Sequence, residues 1–301
     1  MTPKVNAAEL LIRQRFSDLD RALPGAKAGD VSAIHQARVA TRRLREALPL
    51  ITKGSSGRKL ERKVATMTRA LGPVRELDVA IGMLDEFAAA RDVGRGGVAA
   101  LRHVINDERR RLHRDMVRAL DRCNLEKLTK RAVAAAKKRD RAAAETAHQR
   151  NPRRLDIVRR RAARRAQRVK DAMENAAGIY LPDRLHEVRI ALKKLRYAME
   201  IARELSRSRA VAKILALKRL QDLLGRMHDL EVLIARTRAL QGSPSAPSLR
   251  LSAELDQLVR RLETECRQLH GQYIAARPSL AAICEHVMSL PDASDRREPA
   301  A

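Results

Sequence analysis

The chain has almost no aromatic residues: no Trp, two Phe and three Tyr in 301 residues. Base stacking on aromatic side chains is therefore scarce, which argues against reading single-stranded nucleic acid through its bases. An interfacial membrane helix is disfavoured for the same reason, since its apolar face usually carries Trp or Phe. Three cysteines, Cys123, Cys266 and Cys284, show no C-x-x-C spacing. They fit buried or free thiols in a reducing compartment, not a disulfide or zinc framework. The first residues, MTPKVNAAELLIRQRF, lack the apolar core of a signal peptide. No apolar run approaches the roughly 20 residues that span a bilayer. The expectation is a cytoplasmic protein with no membrane partner. Acid is also short: 36 Asp plus Glu face 63 Lys plus Arg, a net charge of +27. Such an excess repels itself in a compact state and predicts an anionic partner, whether nucleic acid, anionic membrane or a soluble polyanion.

What is present is helix. Apolar residues recur at spacings of three and four nearly everywhere, and β-branched alternation is absent, so the fold class is all-α. Helices are expected over 4–22, 31–53, 57–71, 74–91, 97–121, 125–149, 152–177, 182–206, 209–224, 227–241, 248–273 and 278–290. Breaks are placed at LPGAKAGD, KGSSG, LGP, GRGG, NP, LPD and GSPSAPS. Asp30 and Asp183 fit N-cap or first-turn acids. The last residues, 291–301, are expected to be disordered.

Two segments repeat. HQARVATRRLREAL (His35 to Leu48) puts five basic groups within eleven residues, and HEVRIALKKLRYAM (His186 to Met199) does so again at an offset of 151. LGPVRELDV (Leu71 to Val79) pairs with LGRMHDLEV (Leu224 to Val232) at an offset of 153. Two motifs in one order at nearly one spacing point to a duplicated helical bundle, with halves 1–150 and 151–290 and a boundary near Asn151–Pro152.

On a helix, His35, Arg38, Arg42 and Arg45 share an arc of about 80°. Ala37, Leu44 and Leu48 lie on another side and belong to the core. The second copy repeats the stripe with His186, Arg189, Lys193 and Arg196, over a core side of Val188, Leu192, Leu195 and Met199. Arg43 and Lys194 flank the stripes. One cation per helical turn could track a linear chain of phosphates, with Arg supplying a planar fork and Lys a compact charge. A solvated helix face is the alternative, but such a face usually carries acids at i±4, and neither stripe contains one. His35 and His186 are candidate donors to phosphate when protonated. No third ligand is spaced to make them a metal site, and no metal or other cofactor is expected. Further candidate cations are Arg62, Arg69, Arg75, Lys218 and Arg219. The densest run, Arg153 to Lys170, fits a solvated face or an architectural nucleic-acid surface. Asp78 and Glu231 are expected to orient nearby arginines.

Enzyme motifs are missing: no G-x-x-x-x-G-K-[ST], G-x-S-x-G, H-E-x-x-H or G-x-G-x-x-G occurs. Glu263 and Glu265 form an E-x-E only within a helical pattern, with no strand to aim both carboxylates to one side. No catalytic residue is assigned, and the expectation is a binding protein.

The two His segments resemble the signature of the CHAD domain, the conserved histidine α-helical domain, and the two Leu-Gly segments resemble its second recurring motif. The resemblance covers about residues 4 to 290. It implies two four-helix-type bundles related by pseudo-twofold symmetry around a basic central groove or pore. It also implies binding of inorganic polyphosphate, with association with polyphosphate granules in some bacterial members. The matching positions are His35, Arg38, Arg42, Arg43 and Arg45, then His186, Arg189, Lys193, Lys194 and Arg196. Tyr197, which follows the second motif's Arg, is expected to pack. His228 stands where the family often has a small polar residue. A fused CYTH triphosphatase domain, frequent in the family, has no counterpart in this sequence.

Overall fold

In a computed structural model, residues 7–52, 54–90, 93–145, 152–176, 178–206, 211–243 and 248–289 are described. The expected disordered tail and the Asn151 boundary lie outside them. The described residues are helical throughout: α1 (Ala7–Ala28), α2 (Val31–Ile51), α3 (Gly54–Ala90), α4 (Arg95–Asp121), α5 (Leu125–Glu145), α6 (Pro152–Asn175), α7 (Pro182–Ser206), α8 (Val211–Gln241) and α9 (Leu249–Met288). Among them, no helix is long and apolar enough to cross a membrane.

Three expected breaks are not breaks. The gap expected at LGP lies inside α3, the one between 224 and 227 inside α8, and the one between 273 and 278, just before Pro278, inside α9. A proline in a helix interior removes a hydrogen bond and usually ends or kinks the helix. Burial on both sides of these points outweighs that cost. The buried residues form three apolar clusters. One joins α1, α2, α5 and the end of α4 to the first half of α3. A second joins α6 and α7 to the first half of α8 and the second half of α9. The third, in the middle, takes the second halves of α3 and α8 and the first halves of α4 and α9. Each long helix passes from an outer cluster into the shared middle one, so a break at its midpoint would detach one end from its core.

α1 also runs six residues past its expected end, through Pro24 and Gly25. Its last turn packs on α2 so closely that a Cβ on Gly25 would sit 2.8 Å from the Cβ of Ala33. The chain then reverses at Gly29, whose φ of 92° suits a residue without Cβ. Gly29 N donates to Ala26 O and Asp30 N to Gly25 O, the paired bonds of a Schellman stop. The Asp30 carboxylate accepts from Ala33 N at 2.6 Å and starts α2. At the GRGG turn the cap comes from another helix. Glu254 of α9 accepts from Gly97 N at 2.8 Å, and it lies so close to Gly94, Gly96 and Gly97 that a Cβ on any of them would crowd it.

Replacing Asp30 by Ala removes the cap that begins the first basic helix. Unfolding in urea should show a loss of about 1 kcal/mol in stability; an unchanged midpoint would mean that the cap carries no weight.

Candidate functional site

α2 and α7 pack against each other. Each buries the apolar side read from its sequence: Ala37, Leu44 and Leu48 on α2, and Val188, Leu192, Leu195 and Met199 on α7. With those sides fixed, the cationic stripes come together. The Arg42 guanidinium lies 5.8 Å from the centroid of the Tyr197 ring, one helical turn beyond Lys193, and Arg196 stacks on the same ring at 4.5 Å. Tyr197 is buried, a packing residue that both stripes share.

The electrostatics show how tightly the stripes meet. Arg38 is lowered from its ordinary value by burial and then by Arg42 and by Arg189 across the helix pair. Arg42 is lowered by burial and by Arg189, Arg196 and Arg45, against a raising influence from Tyr197. Lys193 is pushed down to about 7 by burial, followed by Arg42, Arg189, Arg38 and Lys194. Among the described residues, Arg38, Arg42, Arg189 and Lys193 make no ion pair with a carboxylate. Four half-buried cations from two helices thus share one field.

The histidines frame this group. His35 is lowered by desolvation and by Arg75, Arg38 and Arg42. His186 is lowered by desolvation and by Arg189 and Lys193. His228 of α8, which the motif comparison set apart, meets His186 directly, Nδ1 to Nδ1 at 3.2 Å. Burial first, then Arg189, His186 and Lys193, pushes His228 down to about 4. A contact of this length needs one ring to donate an N–H and the other, neutral, to accept it. Among the described residues, no group of three or more His, Cys, Asp or Glu is placed to hold a metal ion.

The Leu-Gly motifs supply the floor. Arg38 Nη1 donates to Thr68 O on α3 at 3.3 Å, and a Cβ on Gly72 would lie 2.8 Å from that nitrogen. At the matching place on α8, Gly225 faces Arg189 Nε at 3.9 Å from an added Cβ. The glycines taken as helix breaks are passages for arginine side chains. The acids five residues into the motifs' numbering, Glu76 and Asp229, also bear on the cluster. Glu76 acts on Arg38, and Asp229 is raised by burial while Arg189, Arg75 and Arg226 pull it back. Sequence reasoning missed His228, Glu76 and Asp229; the repeated Leu-Gly spacing was the signal that could have found them.

Other predicted residues are placed elsewhere or spent. Arg196 is buried, pairs with Glu200 and donates from Nε to Gln221 at 2.8 Å. Glu200, one turn beyond the stripe, is the acid that the inspected face did not contain. Arg45 is exposed at the end of the α2 stripe. The Nε of Arg43 is buried with no partner among the described residues. Lys194 is exposed, and its carbonyl accepts from Arg165 at 2.6 Å. Arg62, Arg69 and Arg219 are exposed, and Lys218 pairs with Asp222 at 2.9 Å. None of these last four is among the charges that bear most on the buried cations. Arg75 acts on both His35 and Asp229.

The dense basic run of α6 is partly internal. Arg161 and Arg165 hold Glu46 of α2 at 3.1 and 2.6 Å, while the side chains of Arg153 and Arg154 lie outside the described residues. Asp78 accepts from Arg109 at 2.5 Å, as expected of an acid that orients an arginine. Glu231 does not; it accepts from the Tyr180 hydroxyl. Glu263 and Glu265 pair with Arg238 and Arg226 at 2.6 and 2.8 Å.

Fold and site together define a class: an all-α protein in which two basic helices present one cluster of cations. The CHAD domain family model matches residues 10–238, and the chain belongs to that family. Its fold is similar to that of the CHAD domain from the plant Ricinus communis, at 21% identity and TM-score 0.60, covering 95% of this chain and 92% of that one. It is also similar to PptA from Streptomyces chartreusis, at 16% identity and TM-score 0.64, covering 90% of this chain and 98% of that one. No curated protein matches the chain.

Gly72→Ala would thrust a methyl group at the Arg38 guanidinium. The end of a long side chain can move aside, and Ala favours helix by about 1 kcal/mol over Gly. Unfolding in urea should show stability held or raised; a clear loss would mean that Arg38 cannot move aside and that its place against Gly72 is fixed. Lys193 gives a pH signature. A base with a folded value near 7, below its ordinary 10.5, costs stability while both states are charged. That cost fades as pH rises from about 7 towards 10.5, because the unfolded chain then holds more protons. Unfolding free energy should therefore rise more over this window in the native protein than in Lys193→Met; parallel curves would show that Lys193 titrates normally.

Proposed function

We propose that the protein binds inorganic polyphosphate without cleaving it, and that Arg38, Arg42, Arg189 and Lys193 form the centre of the binding surface. The observation that carries this is the meeting of four cations from two helices, none of them in an ion pair with a carboxylate among the described residues, while Glu76 and Asp229 act on Arg38 and Arg189 only from beyond ion-pair distance. In a chain with 36 acids, several of them committed to arginines elsewhere, so bare a cluster calls for an external anion. Phosphate oxygens suit guanidinium forks and an ammonium point charge, and a polymer also releases counterions on binding, as nucleic acids do. Fully cationic groups serve as neither nucleophile nor general base, so Arg38, Arg42 and Arg189 act by binding. Membership of the CHAD family supports the same ligand, and attachment to polyphosphate granules would follow where these exist.

We also read the chain as a duplication, with α2 and α7 as matching walls related by a pseudo-twofold axis. The rival reading, an architectural nucleic-acid binder, drew on the α6 run, two of whose arginines are spent on Glu46. Glu substituted at both Arg42 and Lys193 should weaken long-chain polyphosphate binding at least a hundredfold, taking about 1.5 kcal/mol for each charge-assisted contact. Circular dichroism should show the helices intact. Unaltered affinity, or duplex DNA displacing polyphosphate at moderate salt, would defeat the proposal.

A further inference from the structure

The binding surface contains one group whose chemistry exceeds binding. Lys193 is half-buried on the stripe of α7 that meets α2, one turn after Arg189 and one turn before Tyr197, whose ring lies 5.8 Å from the Arg42 guanidinium. Several other lysines are neutralised: Lys27 by Asp121 at 2.6 Å, Lys130 by Glu126 at 2.5 Å, Lys170 by Glu285 at 3.0 Å and Lys218 by Asp222 at 2.9 Å. Lys193 has no such ion pair among the described residues, and the charges that bear most on it are Arg42, Arg189, Arg38 and Lys194. An amine held beside other cations and withdrawn from water is the arrangement that turns lysine into a nucleophile. The same arginines recognise a phosphoryl group.

We propose that Lys193 is an acylation site, whose amine takes the acyl group from a small acyl phosphate held by Arg38, Arg42 and Arg189. The inference rests on the reading of this cluster as a phosphoryl-anion site. In the step, the uncharged Nζ attacks the acyl carbon. The N–C bond forms and the C–O bond to phosphate breaks, with its electron pair leaving on the phosphate. The nitrogen's surplus proton passes to that departing phosphate, so the products are an amide and hydrogen phosphate. No oxidant, metal or second protein is required. At neutral pH a value of about 7 leaves a large share of Lys193 uncharged, whereas an ordinary lysine is almost wholly protonated. Acylation removes one of the four cations and adds bulk in the groove, so the modified protein should hold polyphosphate more weakly.

The test incubates the full chain with acetyl phosphate at pH 7.5, quantifies acetylation lysine by lysine by mass spectrometry, and measures polyphosphate binding on the same preparation. Lys193 should react on the order of tenfold faster than Lys27, Lys130 and Lys218, from its larger uncharged fraction and the nearby phosphoryl site. Its lead should be greater with acetyl phosphate than with a neutral acetyl ester, which has no phosphoryl group for the arginines to hold. Saturating polyphosphate should protect it. A Lys193 rate no higher than that of the other lysines, an equal lead with both reagents, or no protection by bound polyphosphate overturns the acylation. If polyphosphate binds normally in that case, only this inference falls; if polyphosphate does not bind at all, the functional reading falls with it.

Discussion

Four cations that repel one another are held in one place, and the rest of the fold supplies the force that keeps them there. Arg38 and Arg42 cannot leave α2, because Ala37, Leu44 and Leu48 on its opposite side are fixed in an apolar cluster. Arg189 and Lys193 are fixed in the same way by Val188, Leu192 and Leu195. Neither helix can rotate its charges into water without exposing leucines, at roughly 1.5–3 kcal/mol for each large side chain. Packing therefore holds the geometry against the repulsion. The charges are left to be satisfied by whatever enters.

Several acids are spent at the seams between helices distant in sequence. Arg15 of α1 pairs with Glu204 of α7, Arg161 and Arg165 of α6 with Glu46 of α2, Arg236 of α8 with Glu108 of α4, and Arg226 of α8 with Glu86 of α3. Single exposed pairs contribute little, and partly buried ones offset their own desolvation only with good geometry. Their placement matters more than their energy. Each one ties an element of the first half to one of the second, and the pairs of Arg236 and Arg226 join helices that also build the middle apolar cluster.

The stripes and their core sides were legible because helical periodicity alone separates a charged arc from an apolar one, and His35, Arg38, Arg42, Arg189 and Lys193 stand where that geometry puts them. The role of the Leu-Gly motifs was not legible. Gly72 and Pro73 have the local chemistry of a stop, and only the apolar clusters on both sides of them carry the helix through. Nor could spacing along one helix reveal partners on another. Arg196 belongs to the stripe by angle yet is claimed by Glu200 and Gln221, and Arg161 and Arg165 look like solvated charge until Glu46 of α2 is brought to them. The contact between His186 and His228 has the same origin, since it joins positions 42 residues apart on α7 and α8.

The two walls differ at one place that bears on how the site works. At the offset of 151 that aligns the His segments, Arg42 of the first copy corresponds to Lys193 of the second. A guanidinium stays charged under any ordinary condition, so burial beside other cations lowers its value without discharging it. An ammonium in the same field can release its proton, and Lys193 is pushed down to about 7. Two arginines facing each other there would make the repulsion permanent. With one lysine, release of a proton from Lys193 can lessen that repulsion. The charge of the cluster is therefore fixed on α2 and adjustable on α7.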